Sequence, residues 1–197
     1  ITSNNFIKYI NTSSSGNMIV GLYSNYESKS LLRFKGLPTN YDTTTVLSAK
    51  LYLRYNNTFY QDSLGITSFN LYSISKYYDF STLTYDLFNN EIGSNIVGTY
   101  TGTPRDTALI TIPLDNQTVG DWLKYAHDTN YANKNYGIIL LANPSSTTIK
   151  AFYSSLYNYY PTVTAVVLSP SGKQDTLTFG SSEFVTLNYV PQINTIP

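Results

Sequence analysis

The chain has 197 residues, and its twelve Lys and Arg balance twelve Asp and Glu, with only 12% of positions charged. Such a balance offers no basic surface to a nucleic-acid backbone or to an anionic membrane, and no apolar run approaches the roughly 20 residues that span a bilayer. The lack of cysteine excludes disulfides, thiolate nucleophiles and zinc–thiolate sites. We therefore expect a protein that neither binds nucleic acid nor inserts into a membrane.

Short apolar and β-branched runs recur about every ten residues between clusters of Gly, Pro, Asn, Asp and Ser, a spacing typical of an antiparallel β-sandwich. Tyr and Phe are abundant, at 20 and 9 residues, and they favour strands over helices. In chain order, the predicted strands are Phe6–Ile10, Met18–Tyr23, Ser30–Lys35, Val46–Tyr55, Thr67–Ile74, Ile96–Tyr100, Ala108–Pro113, Tyr136–Ala142, Thr148–Tyr153 and Thr162–Leu168.

In three of these strands the residue pattern predicts which faces are buried. In "AKLYLRY" every second residue from Ala49 to Tyr55 is apolar, which predicts one buried and one exposed face. The run "GIILLA" at 137–142 has no alternation, so we expect it to be covered on both faces. In 148–153, period-two alternation places Phe152 in the core and Tyr153 outside.

One segment has helical period. Apolar residues recur at spacings of three and four from Val119 through Trp122 to Ala126, and Asp115 or Thr118 can cap the start. This pattern predicts a short helix over 116–127, docked on the sandwich through Trp122.

The C-terminal region contains two further β-like runs, Thr176–Phe179 and Phe184–Tyr189, joined by "GSS". We interpret them as an added hairpin in which Gly180 supplies a positive φ. The chain is then one β-sandwich domain, 1–170, with an appended hairpin and linker, 171–197, packed on the same domain.

Taken in order, several segments resemble the DNRLRE (disaggregatase-related) domain of extracellular proteins. The segments, which together cover about residues 5–168, are "SKSLLRFKGLP", "VLSAKLYLRY", "NLYSISKYYDFSTLTYD", "ITIPLDNQTVGDWLKYA", "NYGIILLA" and "FYSSLYNYYPTVTAVV". The resemblance implies a jelly-roll-like β-sandwich, usually one module of a larger secreted or surface-attached protein, and some members bind carbohydrate. This chain has Tyr78 and Tyr85 where the family usually has Trp, and Phe80 and Leu156 where it often has Glu.

Aromatic rings in loop-like sequence suit a carbohydrate ligand, because sugars stack on exposed rings and bond to nearby polar tips. The stretches "KYYDF" and "LYNYYP" nominate Tyr77, Tyr78 and Tyr157 as ligand-binding residues. For Tyr160 the following proline favours a packing role. Arg33 is a fourth ligand-binding candidate: it is either a clamp for a sugar carboxylate or a buried, ion-paired side chain, and its apolar neighbours favour the second role.

Catalysis lacks a recognisable set of residues. The acids are scattered singly, many in turns where they bond their own backbone. The single histidine, His127, could be a lyase base or a cation at a helix C-terminus, and it has no evident partner. Turns such as "TNYD" offer oxygen ligands for a structural calcium, but their spacing assigns no site.

We therefore predict a non-catalytic carbohydrate-binding module without a cofactor, at the cell surface or outside the cell. Its expected partners are polysaccharide and other domains of the same polypeptide. The alternative is a structural or interaction module of a surface-anchored protein with no sugar ligand, in which the tyrosines are buried.

Overall fold

The structure is a computed structural model that describes residues 12–88, 91–154 and 159–189. Within those ranges the chain forms ten strands and one helix. In chain order they are β1 (Asn17–Tyr23), β2 (Tyr26–Phe34), β3 (Thr45–Tyr60), β4 (Thr67–Ile74), β5 (Ile92–Gly102), β6 (Leu109–Leu114), α1 (Asn116–His127), β7 (Ile138–Ala142), β8 (Ile149–Tyr153), β9 (Thr162–Leu168) and β10 (Gln174–Tyr189). The strand predicted at 6–10 lies outside the described residues.

The strands pair antiparallel into two layers, which confirms the predicted all-β sandwich. One layer has the order β6-β3-β9-β10, and the other runs β10-β2-β7-β4-β5. The 16-residue strands β3 and β10 each take part in both sheets. The first half of β3 pairs with β6 and β9 and its second half with β8, whereas β10 pairs first with β9 and then with β2. Strand β1 joins β8 to the start of β2.

The main core lies between the layers, where the alternating residues of β3 meet those of the opposite sheet. Leu51, Leu53 and Tyr55 are buried as their period predicts, and Phe152 is buried while Tyr153 is half-exposed. Strand β7 is covered on both faces, because Ile138 belongs to this core and its neighbour Ile139 to a second cluster.

The helix has the predicted bounds and covers one end of the core. The Asp115 carboxylate accepts from the Thr118 backbone N–H at 2.8 Å, which satisfies one of the free donors of the first turn. The ring of Trp122 is buried and lies 5.4 Å, centroid to centroid, from that of Phe34. Among the described residues, no helix is both long and apolar enough to cross a membrane.

The predicted C-terminal hairpin is wrong. Residues 174–189 form one strand, β10, whose first half pairs with β9 and whose second half pairs with β2, with a bulge between Ser181 and Glu183. Gly180 lies within this strand and does not have a positive φ; the turn before β10 uses Gly172, at φ 82°. Gly180 instead leaves room for the Tyr160 ring, which a Cβ would strike. Gly180 is therefore a point where another side chain packs closely against the backbone, and the chain does not turn there.

Candidate functional site

Residues 75–88, which follow β4 and are called the β4–β5 segment below, lie on the outer face of the β2-β7-β10 sheet. Apolar side chains of this segment form the second buried cluster together with residues of β4 and of those three strands; the cluster comprises Leu31, Ile74, Tyr78, Phe80, Leu83, Phe88, Ile139, Val185 and Leu187. Burial of these side chains stabilises the segment at about 25 cal/mol per Å² of apolar surface. The loop therefore has a defined position and can present a binding residue.

Arg33 ties this segment to the sheet. Its side chain is 4% exposed. Nη1 donates to Glu183 Oε2 at 2.7 Å, Nη2 donates to the Tyr78 carbonyl at 2.7 Å, and Nε donates to the Tyr136 carbonyl at 3.1 Å. Arg33 and Leu31 are two residues apart in β2 and so project from the same face of the strand. With its guanidinium engaged and enclosed, Arg33 has the structural role, and its nomination as a residue that contacts ligand is corrected.

Tyr77 stands on the guanidinium of Arg33 and is 59% exposed. The Arg33 Cζ lies 4.6 Å from the centroid of the Tyr77 ring and 4.2 Å from that of Phe80. The Tyr136 ring meets Tyr77 edge to face at 6.5 Å. A cation over a ring and an edge-to-face pair both restrain the ring's orientation. The Tyr77 ring is therefore exposed to solvent but kept in position by Arg33 and Tyr136.

Two clefts adjoin Tyr77. The first, of about 320 Å³, is lined by Ser13, Tyr77, Asp79, Phe80, Ser81, Ser154, Ser181, Ser182, Glu183 and Phe184. The second, of about 480 Å³, is lined by Arg33, Phe34, Lys35, Gly36, Leu37, Thr39, Tyr77, Tyr125, Ala126, Thr129, Asn135 and Tyr136. Tyr77 belongs to both linings, and hydroxyl groups and carboxylates are concentrated in the first.

The first cleft brings together two carboxylates that are distant in sequence. Asp79 accepts hydrogen bonds from the hydroxyl and the backbone N–H of Ser81, which lower its pKa. Partial burial of Glu183 acts to raise the pKa of its carboxyl, but the hydrogen bond from Lys35 and the charge of Arg33 outweigh it and the pKa is lowered. Both groups are therefore ionised hydrogen-bond acceptors at neutral pH.

The other nominated residues are placed differently. Tyr78, next to Tyr77, is only 9% exposed, and its ring packs 5.3 Å from that of Phe88. It is therefore part of the second cluster and its nomination as a stacking ring is corrected. Tyr157 lies outside the described residues. Tyr160 packs on Gly180 as its predicted role requires, although 46% of it is exposed.

His127 lies beside the second cleft, next to the lining residues Ala126 and Thr39. His127 Nδ1 is 3.1 Å from the Thr39 carbonyl oxygen, and Nε2 is 3.8 Å from Asp42 Oδ2. The residue ends α1 and lines neither cleft. Across residues 12–88, 91–154 and 159–189, no three His, Cys, Asp or Glu residues lie together in a way that could hold a metal ion.

Sequence reasoning missed the polar half of the site. Asp79 stands in the nominated stretch "KYYDF" and was passed over for its tyrosines, whereas Glu183 is separated from its partner Arg33 by 150 positions. Local sequence did not single out Glu183, because it lies between the two predicted runs Thr176–Phe179 and Phe184–Tyr189.

Neither protein-family models, nor curated proteins, nor solved structures provide a match to this chain.

Proposed function

We propose that this chain is a non-catalytic carbohydrate-binding module of a larger extracellular or cell-surface protein, and that it holds polysaccharide by stacking a sugar ring on Tyr77. The observation that carries the proposal is the exposed Tyr77 ring, held on the buried Arg33 between two clefts. A ring fixed before the ligand arrives loses little side-chain entropy on binding.

The cleft beside Tyr77 supplies the hydrogen bonds that a sugar needs. Asp79 and Glu183 can accept from sugar hydroxyls, and the hydroxyls of Ser81, Ser181 and Ser182 can donate or accept. Hydrogen bonds to an ionised acceptor are roughly twice as strong as neutral ones. A ring face and convergent polar groups are the usual make-up of such a site.

The same carboxylates argue for binding rather than hydrolysis. A glycosidase keeps one of its two carboxyl groups protonated at its working pH by raising its pKa. Here the pKa of Asp79 and that of Glu183 are both lowered, and two cations contact Glu183. These two carboxylates therefore suit the role of hydrogen-bond acceptors for a bound sugar better than that of a general acid.

The resemblance of residues 5–168 to the DNRLRE domain is a further support for a module of this kind. Because family members are parts of larger secreted or surface-attached proteins, we propose the same setting here, with other domains of the polypeptide as neighbours.

The alternative, a structural or interaction module without a sugar ligand, draws on a different observation. Arg33 and Tyr78 are both buried, and both serve the packing of the β4–β5 segment. Under this alternative Tyr77 is merely the outermost residue of that packing, and its removal changes stability without changing any binding.

The test is affinity electrophoresis of the folded domain in gels that contain neutral or uronic-acid polysaccharides, with and without a calcium chelator. Three variants accompany the parent protein. Tyr77→Ala removes the ring, Tyr77→Phe keeps the ring without its hydroxyl, and Leu87→Ala removes an apolar side chain that is equally exposed at 59%.

We expect Tyr77→Ala to bind polysaccharide about tenfold more weakly, as measured from its retardation, which corresponds to a loss of about 1.4 kcal/mol of binding free energy. Tyr77→Phe should keep most of the binding and Leu87→Ala all of it. Equal retardation of the parent and of a folded Tyr77→Ala protein would remove Tyr77 from the proposal. No retardation of the parent in any gel would favour the structural alternative.

A further inference from the structure

Three tyrosines form a second aromatic surface at the turn between β1 and β2. The ring centroid of Tyr60 lies 5.9 Å from that of Tyr23 and 5.7 Å from that of Tyr26. Tyr23 and Tyr26 face each other across the hairpin, and Tyr60, at the end of β3, is 43% exposed. We call these three residues the hairpin patch.

The turns beside the hairpin patch hold polar side chains in a conformation that usually selects glycine. Ser24, directly after Tyr23, has φ 52°, and Gln61, directly after Tyr60, has φ 76°. Positive φ is uncommon for such residues and costs about 1 kcal/mol or more. Both side chains are exposed, as is that of Asn25. The local backbone therefore favours glycine, yet uncharged hydrogen-bonding groups stand next to the rings.

Two carboxylates near the hairpin patch already accept hydrogen bonds within the protein. Glu27 follows Tyr26 on the opposite face of β2, where it accepts from the Tyr85 hydroxyl at 3.0 Å. The Asp62 carboxylate accepts from the Leu64 backbone N–H at 2.8 Å. The groups at the patch itself are phenol, hydroxyl and amide, which bond to sugar hydroxyls and give no preference for a charged ligand.

We propose that the hairpin patch is a second glycan-contact surface, which takes a neutral sugar unit on the Tyr60 ring and bonds its hydroxyls through Ser24, Asn25 and Gln61. This inference rests on the proposed carbohydrate-binding function but uses residues separate from the Tyr77 site. Tyr26 begins β2 and Arg33, under Tyr77, is near its end. Seven residues of strand separate them by roughly 23 Å.

Tyr26 and Arg33 project from opposite faces of β2, so the two surfaces lie on different sides of the sheet, and a chain that passes around the sheet or a polysaccharide network is needed to contact both. A polymer that reaches both surfaces, or a network of chains, binds more tightly than either surface binds alone, because the second contact forms at high effective concentration. A short oligosaccharide reaches one surface at a time and lacks this gain.

The experiment uses gels of galactomannan, mixed-linkage β-glucan and pectate, and compares the parent with Tyr60→Ala, Tyr77→Ala and the double variant. Phe59→Ala is the matched control, since Phe59 precedes Tyr60, is 44% exposed and points to the other face of the strand. Thermal unfolding of each variant verifies that it is folded.

We expect Tyr60→Ala to weaken retardation in a neutral gel about tenfold, Phe59→Ala to leave it unchanged, and the double variant to lose what Tyr77→Ala retains. Identical retardation of the parent, Tyr60→Ala and Phe59→Ala overturns the hairpin patch while the Tyr77 site stands. Loss with Tyr60→Ala and none with Tyr77→Ala supports the patch and refutes the Tyr77 site. If the parent is retarded in pectate alone, the assignment of a neutral sugar to the hairpin patch is overturned. If the parent is retarded in none of the gels, both proposals are overturned.

If Tyr60→Ala fails to fold, the parent protein with ring-labelled tyrosines is titrated with mannohexaose and with cellohexaose and followed by NMR. Shifts of the Tyr23, Tyr26 and Tyr60 ring signals are expected with at least one of them. Unmoved ring signals in the presence of both overturn the patch.

Discussion

Replacing Arg33 with Met tests how the β4–β5 segment and the Tyr77 ring are held. The substitution keeps a long unbranched side chain between Tyr77 and Phe80 but removes the charge and its donors. Two backbone carbonyls and the Glu183 carboxylate then lose their partner.

The cost follows from these contacts. Removing one partner of a buried ion pair costs about 3–5 kcal/mol, and a buried acceptor left without a donor costs about 1–3 kcal/mol. Glu183 is 32% exposed and keeps Lys35, and water can reach part of the opened site, so the lower end applies. We expect a loss of about 3–4 kcal/mol, which is a large part of the roughly 5–15 kcal/mol that stabilises a domain.

Urea unfolding measures this loss, with the fluorescence of the single tryptophan, the buried Trp122, as the signal. Arg54→Met is the matched control, because the half-exposed Arg54 donates a hydrogen bond to the Thr107 carbonyl at 3.1 Å and stacks on Tyr159. It should cost about 1 kcal/mol.

A second readout separates packing from ring positioning. If Arg33 holds the Tyr77 ring, the Arg33→Met protein, still folded, should also lose retardation on any polysaccharide that binds through Tyr77. A loss of stability no greater than that of Arg54→Met would refute the reasoning. It would mean that water replaces the three hydrogen bonds of Arg33 at no cost in stability.

Three further outcomes follow from buried groups. Burial lowers the Lys150 pKa below its usual 10.5, so between the two values the unfolded chain binds a proton that the folded chain has released, and stability rises with pH up to about 10.5. Urea unfolding in alkaline buffers below pH 10.5 should show a smaller rise in Lys150→Met than in the exposed control Lys50→Met, and equal rises would contradict the assignment. Burial first, and nearby acids second, raise the Tyr85 pKa to about 12, so the unfolded chain loses this proton before the folded one and stability falls from about pH 10 to about 12; a fall as steep in Tyr85→Phe as in the parent would argue against it. Gly180→Ala should lose about 1 kcal/mol, the low end for overpacking, because its methyl group strikes the Tyr160 ring and that ring is 46% exposed and can move outward. In a Tyr160→Ala background the same Gly180→Ala change should cost almost nothing, and an equal cost in both backgrounds would contradict this cause.

Local periodicity was sufficient for the elements. The 3.6-residue spacing around Trp122 and a capping Asp115 predicted α1 with its observed bounds, and the alternation from Ala49 to Tyr55 predicted the buried face of β3. These features depend on side-chain direction along one segment, which the backbone geometry of a helix or a strand sets by itself.

Strand β10 shows what periodicity could not predict. Two β-like runs separated by a glycine read equally well as a hairpin or as one strand across two sheets. The choice depends on partners: β9 and β2 take the two halves of β10, and Tyr160 occupies the space above Gly180. Sequence spacing carries no information about which distant residue comes close.

By itself, then, the sequence determined the fold class, most strands, the helix and the stretch in which an exposed ring was to be sought. Only the tertiary structure decided that Tyr77 is outside and Tyr78 inside, and that Asp79 shares a cleft with Glu183. The physical reason is that the two tyrosines are alike in local sequence. A buried arginine, whose partners come from three separate parts of the chain, selects which ring remains in solvent.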